Sequence, residues 1–398
     1  MEKKKKLVPK LRFKEFVDAG DWEQRKAKEL CSISTGKSNT QDRIEDGKYP
    51  FYVRSPIVER SNKYLFDEEA VLTVGDGVGT GKVFHYVNGK YDLHQRVYRM
   101  FDFSEEILAK YFYYYFSNHF YDRVMAMTAK TSVDSVRYEM IANMEISLPN
   151  KQEQIGISML FEQLDNLITL HQRKVDKLQQ VKKAHLCEMF PENGKTKPKR
   201  RFKGFTDDWE QRKLGEVGTT FTGLSGKIAS DFGHGEASFI TYMNVFSNPV
   251  SDPTMVEHVE IDSKQREVEV GDVFFTTSSE TPEEVGMSSV LKEKCGVTYL
   301  NSFCFGFRPT VKFDLDYLAY MLRSESVRSQ ITLLAQGISR FNISKTKMMD
   351  TYIQVPSIDE QIAIGKYFLQ LDNLITLHQR KVEKLKKLKE SYLNDMFV

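Results

Sequence analysis

The chain repeats itself. Residues 164–178 read LDNLITLHQRKVDKL and residues 371–385 read LDNLITLHQRKVEKL, differing only at Asp176 versus Glu383. Upstream of each, Glu153-Gln154-Ile155 recurs as Glu360-Gln361-Ile362 at the same spacing. A second repeat precedes each half: PKLRFKEFVDAGDWEQRK (9–26) returns as PKRRFKGFTDDWEQRK (198–213). The order is short motif, long unlike stretch, long motif, then the same again. Repetition of this kind sets the architecture before any local motif is weighed. Two half-molecules are fused in tandem, with like connectors and unlike cargo.

The long motif is helical. Ile157, Leu160, Leu164, Leu167, His171, Lys174, Leu178, Val181 and His185 fall on alternating steps of three and four. Ile364, Tyr367, Leu371, Leu374, His378, Lys381, Leu385, Leu388 and Tyr392 do the same in the second copy. This is the a/d pattern of a coiled coil. At 1.5 Å per residue, some 35 residues span about 50 Å. Blocks of different sequence would not demand the same packing face, so the two stripes are expected to pair with each other. Antiparallel pairing would relate the halves by a pseudo-two-fold axis and set the blocks at opposite ends of a rod. His171 and His378 read as polar interruptions that fix register, because no second metal ligand recurs beside them.

Both intervening blocks run short strands first and a helix near the end. The first carries YPFYVRS (49–55) and KVFHYV (82–87), then LAKYFYYYFSNHFYDRV (108–124). The second carries FITYMNVF (239–246), VFFTT (273–277) and SFCFGFRP (302–309), then LDYLAYMLRSESVRSQI (315–331). The expected fold is α+β: one α/β domain type used twice, each copy followed by a long helix, the two helices forming an antiparallel coiled coil. The segments are a first domain over 1–150, a connector helix over 151–190, a linker and repeat motif over 191–213, a second domain over 214–357, and a second connector helix over 358–398. Lys195, Lys197, Lys199, Arg200, Arg201 and Lys203 crowd the junction and read as a solvated linker.

Lys and Arg number 57 against 55 Asp and Glu, a formal charge of +2. A nucleic-acid role must therefore rest on local clusters. Cys31, Cys187, Cys295 and Cys304 form no CxxC pair and no zinc spacing, and MEKKKK lacks the apolar segment of a secretion signal. The expectation is four reduced thiols in a cytoplasmic protein. No apolar run approaches the roughly 18 residues that span a bilayer. VGDGVGTGKV (74–83) resembles a phosphate loop, yet Asp76 takes the first Gly position and Val83 the hydroxyl position, so a tight hairpin is expected. DEEA (67–70) has no phosphate loop to serve. No GxSxG, HExxH, kinase-type set or Asn/Asp-Pro-Pro-aromatic motif occurs. These patterns suggest a binding protein that performs no chemistry and holds no cofactor.

In this tandem order, LDxLIxLHQRKxxKL closing each half and DWEQRKLGE opening the second, the chain resembles the specificity subunits of type I restriction–modification systems. YPFYVR (49–54), DLHQRVYR (92–99), TGLSGK (222–227), DFGHG (231–235), TSSETPEEVG (277–286), YLNSF (299–303) and SRFNIS (339–344) extend the likeness. The resemblance implies that each block is a target recognition domain reading one half of a bipartite, asymmetric DNA site. It implies that the paired helices act as a ruler and dock two methyltransferase subunits, joined by two motor-nuclease subunits for cleavage. Those partners would supply S-adenosylmethionine, ATP and magnesium for adenine methylation and restriction. Arg reads guanine, and Asn or Gln reads adenine, by bidentate bonds. The candidates for DNA contact are Lys37, Arg54, Gln95, Arg96, Lys130 and Arg137 in the first block. In the second they are Ser278, Ser279, Asn301, Arg340 and Asn342, with GISRFNIS (337–344) the leading loop. Two other readings stay open: a stand-alone DNA methyltransferase or nuclease with an unrecognised site, and a coiled-coil scaffold with two protein-binding heads.

Overall fold

The computed structural model describes residues 7–77, 79–127 and 135–398. The first half runs β1 (Glu23–Lys26), α1 (Ala27–Leu30), β2 (Ser32–Thr35), β3 (Tyr49–Tyr52), β4 (Val58–Ser61), β5 (Phe66–Val74), β6 (Phe84–Leu93) and β7 (Val97–Phe101). It closes with α2 (Ala109–Met127), α3 (Tyr138–Ala142), β8 (Glu145–Leu148) and the long helix α4 (Lys151–Glu188). The second half begins with β9 (Glu210–Lys213), α5 (Leu214–Val217), β10 (Gly218–Thr222), β11 (Phe232–Ile240) and α6 (Tyr242–Ser247). Strands β12 (Val256–Val259), β13 (Val273–Thr276), β14 (Ser278–Ser279), β15 (Ser288–Val290), β16 (Thr298–Leu300) and β17 (Cys304–Pro309) follow. The half ends with α7 (Leu315–Met321), α8 (Glu325–Leu334), β18 (Phe341–Asn342), α9 (Lys345–Met348), β19 (Tyr352–Val355) and α10 (Ile358–Met396).

The short repeat has a structural purpose in each half: it zips the beginning of a block to its end. β1 pairs antiparallel with β8, Glu23 opposite Leu148, and β9 pairs antiparallel with β19, Glu210 opposite Val355. Just upstream, the guanidinium of Arg12 grips Glu153 with two 2.7 Å bonds, and Arg201 grips Glu360 at 2.7 and 2.8 Å. The Glu-Gln-Ile tripeptides thus serve as the other side of a clasp. Arg201 therefore departs from the solvated-linker expectation, since a buried carboxylate needs a partner and draws it in. Its neighbours Lys195, Lys199 and Arg200 pair on the surface with Glu192 and Glu188.

By compactness the chain divides into Met1–Gln172 with Arg380–Val398, and Arg173–Gln379. Each long helix is shared between the two units. The first unit holds a six-stranded sheet, ordered β2-β7-β5-β6-β3-β4. Its core gathers Phe112, Phe116 and Phe120 of α2, one turn apart along a single face, with the neighbouring Tyr111, with Phe161 and Leu164 of α4, and with Phe397. The Gly-rich stretch does join two antiparallel strands, β5 and β6, but from Gly75 to Val83 it is longer than the tight hairpin expected. DEEA lies along the outer half of β5, with Glu68 paired to Arg99. The second unit holds sheets ordered β10-β17-β13-β15 and β12-β11-β16. All four residues of β13 are buried, the apolar run Val273-Phe274-Phe275 together with Thr276. FITYMNVF is not one strand: β11 ends at Ile240, and Thr241 caps α6 by accepting a bond from the Asn244 amide.

Within each unit the two long helices run antiparallel. In the first, Lys389 bonds Asp165 at 2.5 Å and Phe161 stacks on Phe397. In the second, Lys182 bonds Asp372 at 2.5 Å and His185 meets the Tyr367 hydroxyl at 2.5 Å. Each aspartate also accepts from a block tyrosine, Tyr114 on Asp165 and Tyr320 on Asp372. The same contacts recur with the helices exchanging roles.

The buried seam corrects the expected stripe. Leu164 and Leu371 are buried and Leu178 and Leu385 half-buried, but Leu167 and Leu374 are 43% and 44% exposed. Lys174, Lys381 and Leu388 also face outward, while Val175, Ile375 and Val382 are buried. The steps run 4-3-4-3 from Leu164 and Leu371, one residue beyond the expected positions at alternate layers. Two adjacent apolar residues, Leu167-Ile168 and Leu374-Ile375, made both phases available, and packing selected the second.

Candidate nucleic-acid interface

In the first unit, the strand ends bring four of the six candidates onto one cluster. Gln95 donates from its amide Nε2 to Asn39 at 2.6 Å, while its backbone N–H reaches the Ser38 carbonyl beside Lys37. Arg54 and Arg96 flank Asp76 at 3.5 and 3.8 Å. Both arginines and Lys37 remain exposed, and Lys37 has no side-chain partner among the described residues. The segment bearing Arg137 joins through the Val136 amide, which donates to the Gly75 carbonyl at 2.7 Å. Lys130 lies outside the described residues. His94 sits at the centre, its Nδ1 accepting from the Arg96 amide at 3.0 Å. Burial, reinforced by the charge of Arg54, holds its pKa below the ordinary 6.5, so the ring stays neutral and does not oppose the arginines.

In the second unit, β14 and β18 pair antiparallel, Ser278 opposite Asn342. Asn342 also exchanges both backbone bonds with Gln336, at 2.9 and 3.0 Å. The result is a short finger, residues 336–342, laid beside β14, with Ser278, Asn342 and Gln336 as paired neighbours across three chain segments. Arg340 is exposed and has no side-chain partner among the described residues. Beside it opens a cavity of about 410 Å³ lined by Ser278, Ser279, Arg340 and the helix-α6 residues Tyr242, Met243 and Phe246, with Glu280 and Glu284 on its rim. Tyr242 and Phe246 stack at 5.9 Å, and the Tyr242 hydroxyl donates to the Ser278 carbonyl at 2.7 Å. The sequence reading missed Gln336, Tyr242 and Phe246. An aromatic pair at i, i+4 was the available signal, hidden by taking that run as a strand.

Two half-buried arginines brace this face. Arg323 donates to the carbonyls of Val245, Phe246 and Ser288, capping the C-terminal end of α6. Arg328 donates to those of Glu283, Val285 and Gly286. Burial lowers their pKa values to about 9 and about 10, leaving both charged at neutral pH.

Asn301 is a correction. It is 5% exposed, its Nδ2 donates to the Ile240 carbonyl at 2.9 Å, and its Oδ1 accepts from the Phe303 amide. Its amide clasps the turn between β16 and β17 and is withdrawn from contact with a ligand. Ser278 and Ser279 are also largely buried, with Ser279 Oγ donating to Glu284.

A cavity of about 820 Å³ in the first unit is lined by Glu68, Glu69, Asp102, Glu105 and Glu162 against Lys110 and Lys151, an acidic excess that disfavours a phosphate backbone. Among the described residues, no group of three His, Cys, Asp or Glu side chains is placed to hold a metal, and no helix is long and apolar enough to cross a membrane.

The comparisons with known proteins agree with this duplicated design. The family described as type I restriction modification DNA specificity domain matches the chain twice, over residues 19–180 and 206–387. The chain is 23% identical over 394 residues to the type I restriction enzyme MjaVIII specificity subunit of Methanocaldococcus jannaschii, spanning 94% of this chain and 91% of that protein. It is 28% identical over 162 residues to the Escherichia coli type I restriction enzyme EcoDI specificity subunit, spanning 40% and 34%. Among solved structures, the S subunit of a type I restriction–modification system from M. genitalium superposes with a TM-score of 0.60 at 14% identity, covering 98% of this chain and 99% of that one. A chain from a structure on complex assembly and conformational transition of the type I R-M system gives 0.54 at 16% identity, covering 94% and 97%. Two family matches, each spanning one copy of the repeated frame, show that this chain belongs to the type I restriction–modification DNA specificity family.

Proposed function

We propose that this chain reads a bipartite DNA site for a type I restriction–modification enzyme, one half-site for each block. The observation that carries this is one frame built twice that presents two unlike polar faces. The first is Lys37, Arg54, Gln95 and Arg96. The second is the finger with Gln336, Arg340 and Asn342. Arg340, Arg54 and Arg96 carry the chemistry for guanine O6 and N7, and Gln95, Gln336 and Asn342 that for adenine N6 and N7. Lys37 and Arg137, exposed cations beside that face, would contact phosphates, which position the duplex without reading it.

The chain itself is non-catalytic in this reading. Adenine methylation and cleavage belong to two methyltransferase and two motor-nuclease subunits, which bring S-adenosylmethionine, ATP and magnesium, and the complex works on DNA in the cytoplasm. The helices supply two like docking sites for the methyltransferase: Leu167 and Leu170 stay exposed in the first unit, and Leu374 and Leu377 in the second. Identical exposed leucines in both copies suit two copies of one partner. The test is exchange of residues 214–357 for the block of another family member, followed by sequencing of methylated sites. The expected result is a change in one half of the motif only. A change in both halves, or in neither, refutes the reading.

A further inference from the structure

We infer that Ile338 is a wedge that enters the stacked bases of the second half-site, an inference that rests on the DNA-reading role proposed above. The finger carries Ile338 with 98% of its surface exposed, more than any other large hydrophobic side chain described. The finger is held too firmly to fold this side chain back. Gln336 and Asn342 lock its base in both directions, and the Ile343 amide donates to the Thr277 carbonyl at 3.0 Å. Phe341 is half-buried against the core of the second unit. Gly337 adopts φ +152°, and a Cβ there would stand 2.0 Å from the Arg340 carbonyl oxygen. Only glycine permits that turn, so the apolar tip is set by the backbone.

The surroundings favour a nucleic acid over an apolar protein socket. Arg340, two residues from the tip, is exposed and has no side-chain partner among the described residues. The Ser278–Asn342–Gln336 row lies at the finger's base. Of the two nearby carboxylates, Glu284 already accepts from Ser279 Oγ. An isoleucine flanked by a free cation has the composition of side chains that part a base step while a neighbouring arginine holds the backbone or groove. A parted step is also what a base needs before it can leave the helix for modification. Ile338 thus opens the duplex while Arg340, Asn342 and Gln336 read it.

The experiment uses the full chain with its methyltransferase partner and duplexes enriched by that complex from a random pool. 2-Aminopurine is placed at successive positions of the second half-site, and its fluorescence reports unstacking. The wild type is expected to raise the signal at one step. Ile338→Ala should abolish the rise and weaken binding about tenfold, while enriching the same sequence; Ile338→Leu should keep the rise. Gly337→Ala, which deforms the finger, should lose it too. A rise that persists in Ile338→Ala, or no rise anywhere with the wild type on an enriched duplex, overturns the wedge. Failure to enrich any sequence overturns the DNA-reading role and the wedge with it.

Discussion

The Arg–Glu clasps offer a quantitative comparison inside one molecule. Arg12 and Glu153 are almost fully buried, with 5% and 1% of their side chains exposed, and among the described residues no other group bonds the Glu153 carboxylate. Replacing Arg12 with Met leaves that carboxylate buried and unpaired, a loss of about 3–5 kcal/mol. The second copy differs by one bond: Trp209 Nε1 donates to Glu360 at 3.1 Å, whereas the buried Nε1 of Trp22 has no partner. A hydrogen bond to a charged group is worth about 1.5–3 kcal/mol. Arg201→Met should therefore lose less than Arg12→Met by about 2 kcal/mol. Arg12→Met with Glu153→Leu removes both charges and should recover most of the loss, because the pair repays little beyond its own desolvation. Two units need not unfold together, so native-state hydrogen exchange, read separately for amides near β1 and β9, is the suitable assay. Equal losses for Arg12→Met and Arg201→Met, within about 0.5 kcal/mol, would refute the reasoning. So would a double mutant no more stable than Arg12→Met alone.

Arg340→Ala should lose about 1–3 kcal/mol of discrimination at one base pair, measured by binding to single-substituted duplexes. Asn301→Ala should instead lower the melting temperature, with base preference unchanged. Leu164→Asp and Leu371→Asp each bury an unpaired charge and should lower stability by several kcal/mol in denaturant titrations. Leu167→Asp and Leu374→Asp should stay within about 0.5 kcal/mol of wild type yet weaken co-purification with the methyltransferase. Burial holds His85, His94 and His119 below 6.5, so the unfolded chain takes up protons that the folded first unit refuses. Stability should therefore fall as pH drops below 6.5, and His94→Gln should make that fall shallower in denaturation curves taken across this range.

The repeated motifs by themselves determined that the chain is one frame used twice around unlike blocks. Near-identical connectors beside unlike blocks leave few other architectures, and the 3–4 spacing of their apolar residues specifies a paired helix. The spacing could not choose between Leu167 and Ile168, or Leu374 and Ile375, because adjacent apolar residues satisfy both phases; only the facing surface decides. Likewise Arg340 and Asn342 were legible as a loop with base-reading chemistry. That Gln336 stands beside them, or that Tyr242 and Phe246 stack next to Arg340, depends on pairing across tens of residues. Asn301 shows the converse limit. Its side chain has the chemistry to read a base or to clasp a turn, and the Ile240 carbonyl, brought within 2.9 Å by the parallel pairing of β11 and β16, committed it to the turn. Local pattern fixes what a residue is able to bond; the long-range fold decides which of those groups are committed inside and which stay at the surface for DNA.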